Sequence, residues 1–392
     1  MPAKEGCVVV SSRVDVAVIG GGVIGLTCAL TAADAGLRVA VYDAGRDRRA
    51  SWVAGGMLGS LGEGMPGEER LLAITSASVR RWPALVRRLD DTGTHGLGTH
   101  EVAAHKAASV MAAADSLFVA TTSADLAALR QLAEISWDAG LVEGRQVRAL
   151  DPVWLREVEP SLSSRVRGGY LAIGEGAVDN RRLLSRLGEA IVAAGGTLVG
   201  RTIGSLADID AGQVLLAAGA GVRELWSGAR IHLAKGEILR LRRTAWCVPP
   251  PTHVVRARVG GRAVYLVPRD DGIVVGATQY ESEEESGAEV GGVADLLADA
   301  IEVMPGLRNY TLAEVGVGWR PCSADGLPII RRLDDRVCVA AGMGRNGIVL
   351  APYVAGEVLG LLAPAFGMAA RDMDVTEMAV AEADTAQSGT RR

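Results

Sequence analysis

The sequence has little of what marks several large classes of protein. Its five cysteines, Cys7, Cys28, Cys247, Cys322 and Cys338, are scattered without paired spacing, so they suggest neither a disulfide framework nor a thiolate metal site. That usage fits a reducing, cytoplasmic compartment, and no metal is assigned. Charge of one sign is also scarce. The 41 basic and 46 acidic residues leave −5, too mild a field to recruit nucleic acid or an anionic membrane. Residues 1–13 place Lys4, Glu5 and Arg13 around a short valine run; this is too brief and too polar-flanked for a signal peptide or membrane span and reads as a leader strand or loose arm. Of the five histidines, His95, His100 and His105 fall in the alanine-rich stretch 92–115 with no carboxylate pattern around them. That stretch reads as a loop, and its histidines receive no role.

What is present is length and apolar content. At 392 residues and 49% hydrophobic, the chain can bury two domain cores. The first firm element is 14–19, a β-branched run that stops at Gly20-Gly21-Gly22 and reads as a buried parallel strand entering a turn. Residues 23–35 follow as a helix closed by Gly36, then 38–43 as a second strand, which makes one βαβ unit. Further helices are expected over 71–90, broken by Pro83, and over 125–139, 151–160, 181–194, 292–303 and 352–362. Strands are expected at 214–218, 231–241, 263–267, 273–275 and 337–341, with turns at Gly260-Gly261 and Asp270-Asp271-Gly272.

Gly20-Gly21-Gly22-Val23-Ile24-Gly25 fits G-x-G-x-x-G between a strand and a helix. Gly20 allows the tight turn, Gly22 lets a pyrophosphate approach the backbone, and Gly25 lets helix and strand pack closely. The N–H groups of Val23, Ile24 and their neighbours would offer the positive helix end to the phosphates. Asp43 ends the second strand 18 positions after Gly25, placed for ribose hydroxyls, and its carboxylate argues against a 2′-phosphate. A glycine cluster is weak evidence in a chain with 50 glycines; the strand, helix, second strand and terminal acid around it make the motif specific. The motif alone leaves FAD and NAD both open. Three further stretches, 51–58 close after the ribose acid, 215–220 mid-chain and 345–348 near the end, separate them, since an NAD dehydrogenase needs no second nucleotide-facing glycine turn near the C-terminus.

Five stretches, taken in order, resemble the D-amino acid oxidase superfamily, and within it the glycine oxidase branch tied to thiamine biosynthesis. They are Ala54-Gly55-Gly56-Met57-Leu58-Gly59, Tyr265-Leu266-Val267-Pro268-Arg269, Val274-Val275-Gly276-Ala277-Thr278, Trp319-Arg320-Pro321 with Asp325-Gly326-Leu327-Pro328, and Gly344-Arg345-Asn346-Gly347-Ile348. The resemblance implies an α/β chain with a Rossmann-like FAD-binding domain and an inserted α+β substrate domain on a mostly antiparallel sheet. The FAD-binding domain would comprise 1–80, 150–225 and 320–370, and the substrate domain 81–149 and 226–319. A tail, 371–392, lacks a core pattern and reads as disordered.

The resemblance also implies non-covalent FAD, a small amino acid or amine substrate, molecular oxygen as acceptor and a homotetramer. A related branch, the monomeric sarcosine oxidases, tethers flavin through a cysteine; the matching position here is Gly318, with Cys322 displaced from it. Beyond the fingerprint, the cofactor contacts carried over are Ala44, Ser51, Gly55, Gly56, Met57, Ile203, Ala218, Gly219, Gly342, Gly344, Arg345, Asn346, Gly347 and Ile348. Arg320 falls where the family grips the substrate carboxylate, which a guanidinium can do with two parallel hydrogen bonds. Tyr265 matches a tyrosine that helps hold that carboxylate, although an aromatic in an alternating strand is by default a core residue. Arg345 joins them as a candidate catalytic residue in the turn over the flavin, where backbone N–H groups would stabilise negative charge.

Gln279, Ala263 and Met57 are expected to line the substrate pocket. Gln279 stands where relatives carry an apolar residue, and Ala263 is small, so the expected pocket is more polar and roomier. The expected reaction is hydride transfer from the α-carbon to flavin N5, giving an imine and hydrogen peroxide. Two alternatives stay open: an amine oxidase or dehydrogenase for a larger or more polar amine, and a flavoprotein that binds without turnover.

Overall fold

The computed structural model describes residues 14–45, 49–62, 67–92, 109–138, 147–283 and 286–368. The expected arm, the three histidines of 92–115 and the tail 371–392 lie outside them. The chain opens with β1 (Val14–Ile19), α1 (Val23–Asp34), β2 (Val39–Asp43), the single turn α2 (Ala50–Val53) and α3 (Glu69–Thr92). Next come β3 (Met111–Ala113), β4 (Ser116–Ala120), α4 (Ser123–Asp138), β5 (Val147–Leu150), α5 (Pro152–Val158), β6 (Gly168–Ala172) and β7 (Ala177–Val178). Then follow α6 (Asn180–Ala193), β8 (Thr197–Gly200), β9 (Ala211–Leu216), α7 (Val222–Leu225), β10 (Ile231–Arg242), β11 (Val254–Val259), β12 (Arg262–Arg269), β13 (Gly272–Gly276) and β14 (Tyr280–Glu281). The chain ends with α8 (Val290–Val303), β15 (Thr311–Ser323), β16 (Ile329–Arg332), β17 (Val337–Ala341) and α9 (Ala351–Leu362).

Two sheets organise these elements. The first runs β16-β17-β9-β1-β2-β8, parallel except at β16. Its strands are covered on both faces, which explains their continuous apolar runs. Val16 and Val18 of β1 enter one core with α1, α3, α6 and α9, while Ala17 and Ile19 enter another with Ile203, Leu216 and Val339. Helix starts follow from side chains: Asp179 accepts hydrogen bonds from the N–H groups of Arg181 and Arg182 at α6, and Asp151 does the same at α5, where Pro152 takes the first position.

The second sheet runs β14-β10-β13-β12-β11-β4-β6-β5, with β15 on β10. Its pairs are antiparallel apart from β11 with β4. Alternation splits its side chains. Leu239, Leu266 and Val275 pack under α8, while Ile238, Tyr265, Val267 and Val274 pack on the other face with Val53, Ala113 and Ala177. That second face forms the wall on which a site can be built.

Two expected elements need correction, the break at Pro83 and the loop over 92–115. The helix over 71–90 does not break at Pro83; α3 continues through it to Thr92. The lost backbone donor matters less than the anchors on either side: Val79, Trp82 and Leu89 are buried, and Ser78 Oγ and Trp82 Nε1 both donate to Val349 O, at 2.6 and 3.0 Å. The segment 150–225 is divided between the sheets, because α5 packs on β6 and β6 pairs with β4 and β5. Residues 81–92, assigned to the inserted part, pack through Trp82 and Leu89 into the first core. A short strand, β3, also appears inside the stretch read as a loop.

Candidate active site

At the first sheet, two glycines act by packing. A Cβ on Gly20 (φ +120°) would lie 2.4 Å from Ala217 O, and one on Gly25 would lie 1.9 Å from Gly20 O. Gly22 differs, since its Cβ would meet only Ser51 Oγ at 3.4 Å. Space is therefore left in front of the α1 N-terminus, where Val23 N donates to Ser51 Oγ at 3.1 Å. Gly21 matters as well, because its Cβ would fall 2.5 Å from the Asp43 carboxylate. Asp43 is already partnered: Arg49 Nη1 lies 2.5 Å from its Oδ2 and also donates to Gly21 O. A lone ribose acid, as read from the sequence, becomes an Asp43–Arg49 pair.

Next along the cavity is the loop of residues 51–57, held from behind by Asn180. That side chain is fully buried. Its Nδ2 donates to Ser51 O and Trp52 O, both at 2.8 Å, and its Oδ1 accepts from Arg240 and Arg269. Arg269 also donates to Gly55 O at 2.9 Å, and burial pulls its pKa down to about 10. Gly56 (φ +89°) presses against Val178 O, and Met57 bridges to Ala177. Opposite, Gly342 and Gly344 have φ of +74° and +53°, Asn346 and Ile348 are buried, and Arg345 lies 3.3 Å from Glu68.

At the far end, β12 and β15 supply Tyr265 and Arg320. The Tyr265 side chain fills space that only glycine leaves at Gly55 and Gly276, where an added Cβ would lie 2.8 Å from its ring and 2.3 Å from its hydroxyl. Arg320 lies over Gly236, whose Cβ would lie 2.3 Å from its guanidinium, and both terminal nitrogens donate to Thr278 O at 3.3 Å. Thr278 is itself fixed: Glu237 N donates to its Oγ1, and that hydroxyl donates to Glu237 Oε2. Behind it, Lys235 is almost fully enclosed and donates to Ser286 and Glu289 at 2.8 Å. The Glu289 hydrogen bond outweighs burial and keeps the lysine pKa above its ordinary value.

These parts line one cavity of about 560 Å³, the size of a ligand site. Every residue singled out from the sequence lies on its wall except Gly25, which sits behind as a packing residue. Gln279 is at an exposed edge, and Ala263 lines the β12 side. Gly21 and Thr278 fell inside quoted motifs but received no role of their own, and sequence reasoning missed Arg49, Tyr42, Arg201, Asn180, Gly236, Arg256 and Arg258. Of these seven, only Arg49, close after the ribose acid, had a local signal. Arg201 stacks over Tyr42, 5.7 Å from the ring centroid, on the Asp43 side. Among the described residues there is no cluster of metal-ligating side chains, and no helix is long and apolar enough to cross a membrane.

A dinucleotide cradle running into a pocket that holds an arginine and a tyrosine defines a flavoprotein oxidoreductase site. The chain belongs to the FAD dependent oxidoreductase (DAO) family, whose profile matches residues 15–360. It is 30% identical to a glycine oxidase of Geobacillus kaustophilus over 87% of this chain and 90% of that protein. It is 29% identical to the bifunctional protein ThiO/ThiG of Synechocystis, covering 89% of this chain and 51% of that one. The crystal structure of glycine oxidase from Geobacillus kaustophilus superimposes with a TM-score of 0.76 at 27% identity, over 90% of this chain and 95% of that one. The glycine geometry fits FAD, since the space before Gly22 admits a pyrophosphate that a side chain there would exclude.

Proposed function

We propose that this chain is an FAD-dependent oxidase of glycine or another small amino acid. The observation that carries the reading is Arg320, laid on Gly236 with Tyr265 in the same cavity, downstream of the dinucleotide cradle. Bound there, FAD would accept a hydride from the α-carbon at N5, with an imine and, after reaction with oxygen, hydrogen peroxide as products. Residues 20–25, 43–44, 51–57, 203, 218–219 and 342–348 would hold the cofactor without a covalent link. Supporting this, the position facing the cavity is Gly318, and Cys322 is not on the wall.

Arg320 would take the substrate carboxylate in two parallel charge-assisted hydrogen bonds, and the Tyr265 hydroxyl would add a third. Thr278 O, braced by Glu237, keeps the guanidinium in plane before substrate arrives. The amine is held neutral, so no dedicated base is required. Positioning is the main contribution, since an oriented pair gains on the order of 7–11 kcal/mol over free reactants. The backbone N–H groups of the 344–347 turn would stabilise negative charge beside the ring. The four described cysteines are free, which supports a reducing cytoplasm, and the family resemblance supports a homotetramer. The polar Gln279 favours a second reading, an oxidase or dehydrogenase of a more polar amine.

Purified protein should be yellow and release peroxide with glycine, sarcosine or a small D-amino acid. Arg320→Met should keep its flavin yet lose substrate-driven bleaching, with kcat/KM down roughly 10²- to 10⁴-fold for two lost ionic hydrogen bonds. A colourless protein that takes up only NAD, or unchanged kinetics in the variant, defeats the proposal.

A further inference from the structure

The cavity continues past Arg320 and Tyr265 to Arg258 and Ala263, which are paired across the β11–β12 ladder. Arg258 is half-buried, and its Nε is enclosed with no hydrogen-bond partner. A guanidinium nitrogen left so is costly unless something meets it. Arg256, on the same face of β11, is engaged: it lies 5.1 Å over the Phe118 ring and presses on Gly59 beside Glu175. Asp125 feels the Arg258 charge, but its oxygens accept the N–H groups of Gly260 and Gly261 and the Thr122 hydroxyl. Among the described residues no ion pair joins it to Arg258. Ala263 opposite is too small to fill the space.

We propose that Arg258 forms a second anion subsite and that the substrate is an amino acid with a second carboxylate, carried on the α-carbon or on the nitrogen. This deepens the oxidase reading and rests on it. From β11 through β12 and β13 to β10, where Gly236 underlies Arg320, is three strand spacings, about 14 Å. Arg258 and Arg320 both line the cavity over those strands, and a substrate with two acids a few bonds apart would set one against each guanidinium. Glycine would engage only Arg320, whereas a diacid would engage both arginines at once.

The test uses the holoenzyme with matched pairs: D-aspartate against D-asparagine, D-glutamate against D-glutamine, and N-carboxymethylglycine against its monoamide, read by peroxide release and anaerobic flavin bleaching. At least one acid should exceed its amide in kcat/KM by roughly 10- to 100-fold, mainly through KM. Arg258→Met should abolish that preference, and Arg258→Lys should retain part of it, with flavin content measured to confirm folding. If every amide equals or beats its acid, or if Arg258→Met leaves the ratio unchanged, Arg258 merely balances Asp125 and the subsite is wrong. If neutral amino acids are oxidised and the acids are not, only this inference fails. If no amine of either kind bleaches the flavin, the oxidase reading fails with it.

Discussion

Replacing Gly22 with alanine separates the cofactor's requirement from the fold's. In the protein alone the new methyl meets one atom, Ser51 Oγ, at 3.4 Å, an ordinary contact. The backbone there, φ −79° and ψ 175°, is open to any residue. Apoprotein stability should therefore change by less than about 0.5 kcal/mol, or rise slightly as the unfolded chain loses freedom. The same methyl occupies the space a pyrophosphate needs. Pushing it back from the α1 N–H groups should remove one or two charge-assisted hydrogen bonds, about 2–4 kcal/mol, or roughly 30- to 1,000-fold in FAD affinity. Gly20→Ala is the control. At φ +120° and 2.4 Å from Ala217 O it must strain the turn itself, at about 1–3 kcal/mol from backbone conformation alone. Urea unfolding of the apoproteins and FAD titration by fluorescence quenching give both quantities. If Gly22→Ala destabilised the apoprotein as much as Gly20→Ala did, or bound FAD normally, the assignment of that space to the pyrophosphate would be refuted.

Asn180→Ala should cost about 3 kcal/mol or more in apoprotein unfolding, because two carbonyls and two arginines lose a buried partner; a loss below about 1 kcal/mol would show that the loop of residues 51–57 does not depend on it. The Arg181 hydrogen bond leads the forces holding the Glu314 carboxyl below its ordinary 4.5. The stability it adds is full above about pH 4.5 and lost as pH falls through the folded value. Glu314→Gln should therefore have a lower Tm than the parent near neutrality, and the gap should narrow in acid; a gap independent of pH would rule the pairing out as the cause.

Much of the fold could be read along the chain. The βαβ unit, the glycine turns and the helix ends were legible because their causes are local: a β-branched run, a missing side chain, a capping aspartate. The helix through Pro83 was not, since the carbonyl of Val349 that steadies it lies in a distant stretch. Nor was the division of 150–225, because β6 takes its sheet from its partners β4 and β5. Tyr265 and Arg320, which motif order singled out, do line one cavity. Their seats at Gly276 and Gly236 depend on register, which one segment cannot reveal.

By itself, then, the sequence determined where the backbone can turn tightly, where a strand passes into a helix, and which helices start at an aspartate cap, because each of these depends on neighbours a few residues away. The tertiary structure alone decided that Arg49 pairs with Asp43, that Asn180 holds the loop of residues 51–57, and that Arg258 shares one cavity with Arg320. Those relations join residues from different strands and turns, and they are set by how the two sheets pack.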